Sequence, residues 1–214
     1  ITFDDLGSGA KYSDINICGL FVDKDDIEGK IVLKGVEYLV LNDEIDQYKR
    51  ERESIRHILV TLGGSDTYGV TIKILKILQK LNLSATIHIG PFFNHKADLA
   101  EILTEDYVVI ENLSSLIKEF SNFDLAITGG GITPFEANAS GLPCLIIANE
   151  DFEVPNGHLL ENMGSSKFLG FHTDIDDGAI ENISELNINK MSLSGISSLN
   201  TKAVEKIYGR ILNL

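Results

Sequence analysis

Cations are scarce in this chain. Its 214 residues carry 32 acidic side chains against 18 Lys and Arg, a formal charge of −14. The excess is dispersed, with 13 of the acids and 7 of the bases in residues 1–55, so it is not an acidic tail. Such a body is a poor partner for nucleic acid or an anionic membrane surface, whereas a small anionic ligand needs only local donors. No apolar run approaches the roughly 20 residues that cross a bilayer, so no stable membrane insertion is expected. The chain starts at Ile1 with no basic and apolar leader, so nothing reads as a signal peptide, and the absent initiator Met suggests a segment of a longer chain. Cysteine is limited to Cys18 and Cys144, both in apolar strand-like runs. They read as small buried residues rather than a disulfide, which fits a cytoplasmic setting. His57, His88, His95, His158 and His172 are scattered, no Cys/His spacing suits zinc, and no metal is expected.

What the chain does have is two glycine-rich junctions. Ile58-Leu59-Val60-Thr61-Leu62 reads as a buried strand and runs into Gly63-Gly64-Ser65-Asp66. Leu125-Ala126-Ile127 does the same before Gly129-Gly130-Gly131-Ile132-Thr133. Each junction opens an amphipathic helix. Glycine lets a ligand approach the backbone, and a helix start offers unpaired N–H groups to an anion. A phosphate-bearing ligand held between two helix starts is therefore expected.

From residue 56 to 194 strands and helices alternate. Strands are expected at 85–89, 107–110, 144–148 and 167–171 and helices at 70–81, 95–104, 114–120, 134–140, after Pro155 and at 176–183. That order implies a parallel sheet covered on both faces. Residues 1–55 supply three short strands, at 1–3, 15–18 and 38–41, half the complement of a second such sheet. The charged stretch from Asp46 to Arg56 reads as a solvated boundary. A final helix over 195–214 carries Leu199, Ala203, Ile207, Ile211 and Leu214 on one side.

The junctions match no common phosphate motif. A P-loop needs Lys-Ser/Thr at the helix start, and a dinucleotide fingerprint needs glycine where Pro134 stands. Lys118 is the only Lys or Arg between residues 97 and 166, so a diphosphate here must rely on backbone amides, hydroxyls and helix dipoles. Thr133 through Glu136 has the spacing of a capping box, and Gly141 with Pro143 ends that helix. Spacing alone favours capping for Glu136 over acceptance of ribose hydroxyls. Ser65 or Asp66, and Asn156 after Pro155, read as helix caps at least as readily as ligand contacts. Asp4-Asp5 follows a strand and is either a turn or the edge of a cleft.

The run from Ile58 to Asp66, the run from Asp124 to Glu136, and Gly141-Leu142-Pro143 together resemble the UDP-sugar hydrolases of pseudaminic acid biosynthesis and the related spore-coat polysaccharide proteins. These share the GT-B fold with the MurG-type N-acetylglucosaminyl transferases. Thr2 to Leu6 and Tyr12 to Ile17 are similar to the end of that family's first domain, so the resemblance covers most of residues 1–172. It implies an α/β GT-B-like chain: residues 1–55 ending a first Rossmann-like domain, 56–194 a nucleotide-sugar-binding domain, and 195–214 a helix returning to the first. It implies a UDP-sugar ligand and no separate cofactor. Gly63, Gly64, Ser65 and Asp66 would lie near the diphosphate, and Gly130, Gly131, Ile132 and Thr133 would give amides. Glu136 would take the ribose and Ile110, Asn112 and Leu113 the uracil. Asn156 matches an Asn-Gln motif of the family, though Gly157 follows it here. The family's catalytic His lies in an N-terminal segment expected to belong to the same parent chain, leaving Asp5 as the catalytic candidate in this one. Hydrolysis of a UDP-activated diacetamido-trideoxy-hexose is the expected reaction. The rivals are a UDP-sugar-dependent glycosyltransferase and a non-catalytic binding module.

Overall fold

The computed structural model describes residues 1–20 and 25–212. Two parallel sheets organise them. The smaller has the order β1 (Thr2–Phe3), β2 (Ile15–Cys18), β3 (Ile31–Lys34). Its third strand is not the expected Tyr38–Leu41 segment. Val36–Tyr38 forms a 3-10 turn instead, entered through Gly35 at φ 131°. Ile31-Val32-Leu33 is too short an apolar run to stand out in the sequence, and its lone fully buried residue is Leu33.

The larger sheet holds six parallel strands: β4 (Ile58–Thr61), β5 (Ala85–His88), β6 (Tyr107–Ile110), β7 (Leu125–Gly129), β8 (Cys144–Ala148) and β9 (Ser166–Phe171). Their spatial order is β6-β5-β4-β7-β8-β9. The direction of winding thus reverses between β4 and β7, which pair directly from Ile58↔Leu125 to Thr61↔Thr128. β4 and β8 are buried along their whole length, as expected of strands covered on both faces. Ile58, Val60 and Leu62 face one cluster, with Val70, Ile74, Ile77 and Leu78 of α2 (Val70–Lys80) and Leu99 of α3 (Lys96–Ile102). Leu59 faces the other, with Phe135, Ala137 and Ala139 of α4 (Thr133–Ala139), Leu160 of α5 (Val154–Asn162) and Ile45 of the short α1 (Ile45–Tyr48). Each large side chain buried here contributes about 1.5–3 kcal/mol over an exposed one.

The stretch from Asp46 to Arg56 is exposed at Asp46, Glu51, Glu53 and Arg56, as a solvated boundary would be, but one cation in it is not. Arg52 is fully buried, and its guanidinium donates to the carbonyl oxygens of Arg50 (2.6 Å), Phe120 (2.7 Å), Phe123 (3.2 Å) and Ser140. Burial, with Arg50 close by, lowers its pKa to about 9. The charge pattern gave no sign of this, because a planar guanidinium can satisfy several carbonyls in place of water. The Ser140 carbonyl belongs to the C-terminal end of α4, where a cation also complements the helix dipole.

The 195–214 helix is two helices, α6 (Ile188–Ser198) and α7 (Ala203–Ile211). Leu199 is extended (φ −122°, ψ 142°) and breaks the run. α6 packs so closely on α4 that a Cβ at Gly195 would lie 2.5 Å from the Asn138 carbonyl oxygen. Ala203 and Ile207 of α7 join Ile15, Ile17 and Leu33 of the small sheet in a third cluster. Leu214 lies outside the described residues. The helices expected at 114–120 and 176–183 are 3-10 turns over Ile117–Asn122 and Glu181–Glu185.

Candidate functional site

In an open α/β sheet a ligand sits beyond the carboxyl ends of the strands where the winding reverses. Both glycine loops are at that place, one leaving β4 and the other leaving β7. They are built differently.

In the first loop Gly63 has φ +83°, which only glycine adopts without strain. Asp66 is 4% exposed, and its carboxylate accepts from the amides of Val70 and Thr71, both at 2.9 Å. The first turn of α2 is therefore neutralised by its own chain. This corrects the expectation of free amides at both helix starts, and it makes Asp66 the organiser of the loop. Ser65 pairs with Thr67 through their hydroxyls at 3.0 Å. Gly90 presses against the loop, where an added Cβ would lie 2.5 Å from Gly64 Cα, and the Phe92 amide donates to the Gly64 carbonyl at 3.0 Å. A Cβ on Gly64 itself would meet nothing within 4 Å.

The second loop leads into α4 at Thr133. Ile132 already has helical angles (φ −76°, ψ −31°), so Thr133 sits inside the first turn and makes no side-chain cap. The capping box is absent for that reason. Glu136 is half-buried with no hydrogen bond or ion pair to its carboxylate among the described residues, and burial alone raises its pKa. A Cβ at Gly130 would lie 2.7 Å from Glu153 Cβ and 2.9 Å from the Glu153 carbonyl oxygen, so the chain itself demands glycine there. At Gly131 a Cβ would meet only Glu153 Oε1, at 3.6 Å. Asn156 is 2% exposed; its Nδ2 donates to the Gly130 carbonyl at 3.0 Å, while its Oδ1 has no partner. The helix closes as the sequence indicates. Gly141 (φ +83°) donates to the Asn138 carbonyl and Leu142 to that of Ala137, both at 2.8 Å.

Gly63–Asp66 thus leave β4 and Gly130–Thr133 leave the neighbouring β7, with Glu136 on the helix that the second loop opens and Asn156 hydrogen-bonded to Gly130. Ile110, Asn112 and Leu113 lie at the end of β6, two strands from β4 and so roughly 10 Å across the sheet. Asn112 is exposed at φ +57°. Asp5 belongs to the small sheet, where its carboxylate accepts from the Gly7 amide at 2.8 Å, and Asp4 accepts from Gly19 at 2.9 Å. The first is the turn reading of that pair, and the second is a long-range contact that ties the end of β1 to the residue after β2.

The sequence reading missed several groups here. His88 closes β5, half-buried, with Nδ1 3.0 Å from Thr61 Oγ1, and burial lowers its pKa. Gly90-Pro91 just after it was the available signal, a third strand–glycine junction. Tyr68 stacks on His172 (centroids 3.9 Å, interplanar angle 14°) and donates to Glu150 at 3.2 Å, tying the first loop to the ends of β8 and β9. Glu153 spans the second loop. With Glu150, Asp151 and Glu136 it makes the surroundings acidic, so any anion here depends on backbone donors. A separate concavity of about 410 Å³ lies at the amino end of the large sheet, between Ile55, Ile58, Leu83, Ile183 and Leu186. Glu53 is its sole ionisable lining residue, and it lies at the wrong end of the strands for ligand binding.

No family model matches the chain. It is 24% identical over 184 residues to the spore coat polysaccharide biosynthesis protein SpsG of Bacillus subtilis, covering 80% of this chain and 54% of SpsG. It is 25% identical over 166 residues to an uncharacterized protein of Methanocaldococcus jannaschii, covering 68% of this chain and 34% of that one. The chain thus spans about half the length of SpsG and a third of the archaeal protein. Among solved structures, MurG of Acinetobacter baumannii superposes with a TM-score of 0.66 at 14% identity, over 94% of this chain and 60% of MurG. The chain has the GT-B glycosyltransferase fold. The spinosyn rhamnosyltransferase SpnG in complex with thymidine diphosphate matches with a TM-score of 0.58 at 17% identity, over 94% of this chain and 56% of SpnG. No helix among the described residues is long and apolar enough to cross a membrane.

Proposed function

We propose that this chain is the donor-binding part of a nucleotide-sugar-dependent glycosyltransferase of surface polysaccharide assembly, with UDP as the carrier nucleotide. One observation carries the reading. Gly64 and Gly131 flank the winding reversal, and a Cβ at either would meet empty space or a single carboxylate oxygen, so packing does not explain their being glycine. A ligand that needs the backbone bare does. The diphosphate lies along Gly130, Gly131, Ile132 and Thr133, whose amides stabilise the charge that grows on it as the sugar leaves. Glu136, half-buried without a partner, takes the ribose hydroxyls, and the end of β6 from Ile110 to Leu113 takes the base. The chain spans 54% of SpsG and 60% of MurG, and on this reading the acceptor site and the catalytic base belong to the remainder of the parent protein.

Transfer is placed ahead of the hydrolysis that the glycine-loop resemblance suggests, because the solved structures sharing this fold include MurG and rhamnosyl- and forosaminyltransferases. Calorimetry of this chain with UDP and TDP tests the site: micromolar binding of UDP with ribose-dependent selectivity is expected, and no binding of either refutes it. Product analysis of the full-length parent tests the reaction. Free sugar released at the same rate with and without acceptor extracts overturns transfer in favour of hydrolysis.

A further inference from the structure

Glu153 stands at the N-cap of α5, yet its carboxylate makes no cap to that helix. It turns back over the second glycine loop instead. Oε2 accepts from the Asn149 amide at 2.7 Å and from the Gly130 amide at 3.3 Å. Either oxygen would lie 4.0 Å from a Cβ on Gly129, and Oε1 3.6 Å from one on Gly131. The loop therefore already holds an anion, and the chain supplies it. The reason the carboxylate prefers this seat is local. An N-cap side chain accepts from the second or third amide of its helix. In α5 the second residue is Pro155, which has no N–H, so the home helix offers one donor where Asn149 after β8 and Gly130 of the loop together offer two.

Building on the nucleotide-sugar reading, we infer that Glu153 is an internal competitor for the diphosphate. A phosphate oxygen on the Gly130 amide and the Glu153 carboxylate cannot share that place, because both are acceptors and both are negative. Binding requires Glu153 to swing to the first turn of α5. The loop need not rearrange, since Asn156 Nδ2 holds the Gly130 carbonyl from the other side. The apparent affinity is reduced by the fraction of molecules in which the loop is free. On release, the returning carboxylate retakes the Gly130 amide that the diphosphate leaves, which shortens product residence at a loop that holds it through backbone amides.

The test uses this chain with Glu153→Gln, which keeps the shape without the charge, and Glu153→Ala, which empties the seat. UDP is titrated by calorimetry, and melting is followed with and without sodium acetate, against sodium chloride at equal ionic strength. Both variants are expected to bind UDP about tenfold more tightly than wild type. Acetate is expected to raise the melting temperature of Glu153→Ala and not that of wild type. Equal or weaker UDP binding by the folded variants overturns the inference. If none of the three proteins binds UDP, the nucleotide reading fails, and acetate alone decides the competitor: selective stabilisation of Glu153→Ala sustains an anion seat at this loop, and its absence removes it.

Discussion

Replacing Glu136 with Gln separates a ligand contact from a structural acid at the candidate site. In the free protein the Glu136 carboxylate is half-buried without a partner, and burial is the sole cause of its raised pKa. A group whose folded pKa lies above its unfolded value favours the folded state below the unfolded pKa, here 4.5, and loses that contribution as pH rises through the folded pKa. The free protein should therefore lose stability over that rise, and Glu136→Gln should flatten the dependence without lowering stability at pH 7. Ligand binding has the opposite sign, because only the ionised carboxylate accepts from two ribose hydroxyls. UDP affinity should fall as pH drops through the folded pKa. Hydrogen bonds to a charged group contribute about 1.5–3 kcal/mol, so Glu136→Gln should weaken UDP binding about 10- to 150-fold at pH 7. Calorimetry with UDP, 2′-deoxy-UDP and 3′-deoxy-UDP on both proteins closes a double-mutant cycle. If the variant binds UDP within twofold of wild type, and the deoxy ligands lose equally in both proteins, the ribose assignment is wrong.

Three further outcomes follow from neighbouring geometry. Gly131→Val should leave urea denaturation nearly unchanged while weakening UDP at least about tenfold, whereas Gly130→Ala should itself destabilise the fold through its 2.7 Å approach to Glu153 Cβ. Asp66→Ala, which frees the amides of Val70 and Thr71, should cost about 1–2 kcal/mol in chemical denaturation; an unchanged midpoint would refute its role at the start of α2. Burial pushes the Cys144 thiol up to about 12 and raises that of Cys18, so neither should react with a disulfide reagent at pH 8 until the protein is unfolded.

The alternation of strands and helices was legible because each buried strand is a short apolar run and α2 keeps its apolar residues on one side over eleven residues. β3, the break at Leu199 and the seat of Arg52 were not. In each case tertiary packing decided: an edge strand with one fully buried residue, a helix divided between two partners, and a cation satisfied by four carbonyls. The glycine loops were visible as loops, and so was Asp66 as a cap of α2, but Glu153 was not. Asp66 binds four and five residues ahead of itself, a pattern open to local reading. Glu153 reaches back 23 residues to Gly130, and no spacing rule announces that.

The two loops look alike as strings of glycine, but their electrostatics differ in a way that fixes the polarity of the crevice. Asp66 is 4% exposed and doubly bonded to the start of α2, so the β4 side presents no net attraction to an anion. The β7 side presents amides whose one occupant, Glu153, sits on a rotatable side chain, held at 2.7 Å by the Asn149 amide after β8 and at 3.3 Å by the Gly130 amide of the loop. On the proposed nucleotide reading a diphosphate would displace the second carboxylate but not the first, because displacing Asp66 would undo the cap of α2, at a cost of about 1–2 kcal/mol. On that reading the phosphates would lie toward α4 and the rest of the nucleotide would cross the bare surface of Gly64 toward β6, with Arg52 holding the far end of α4 in place.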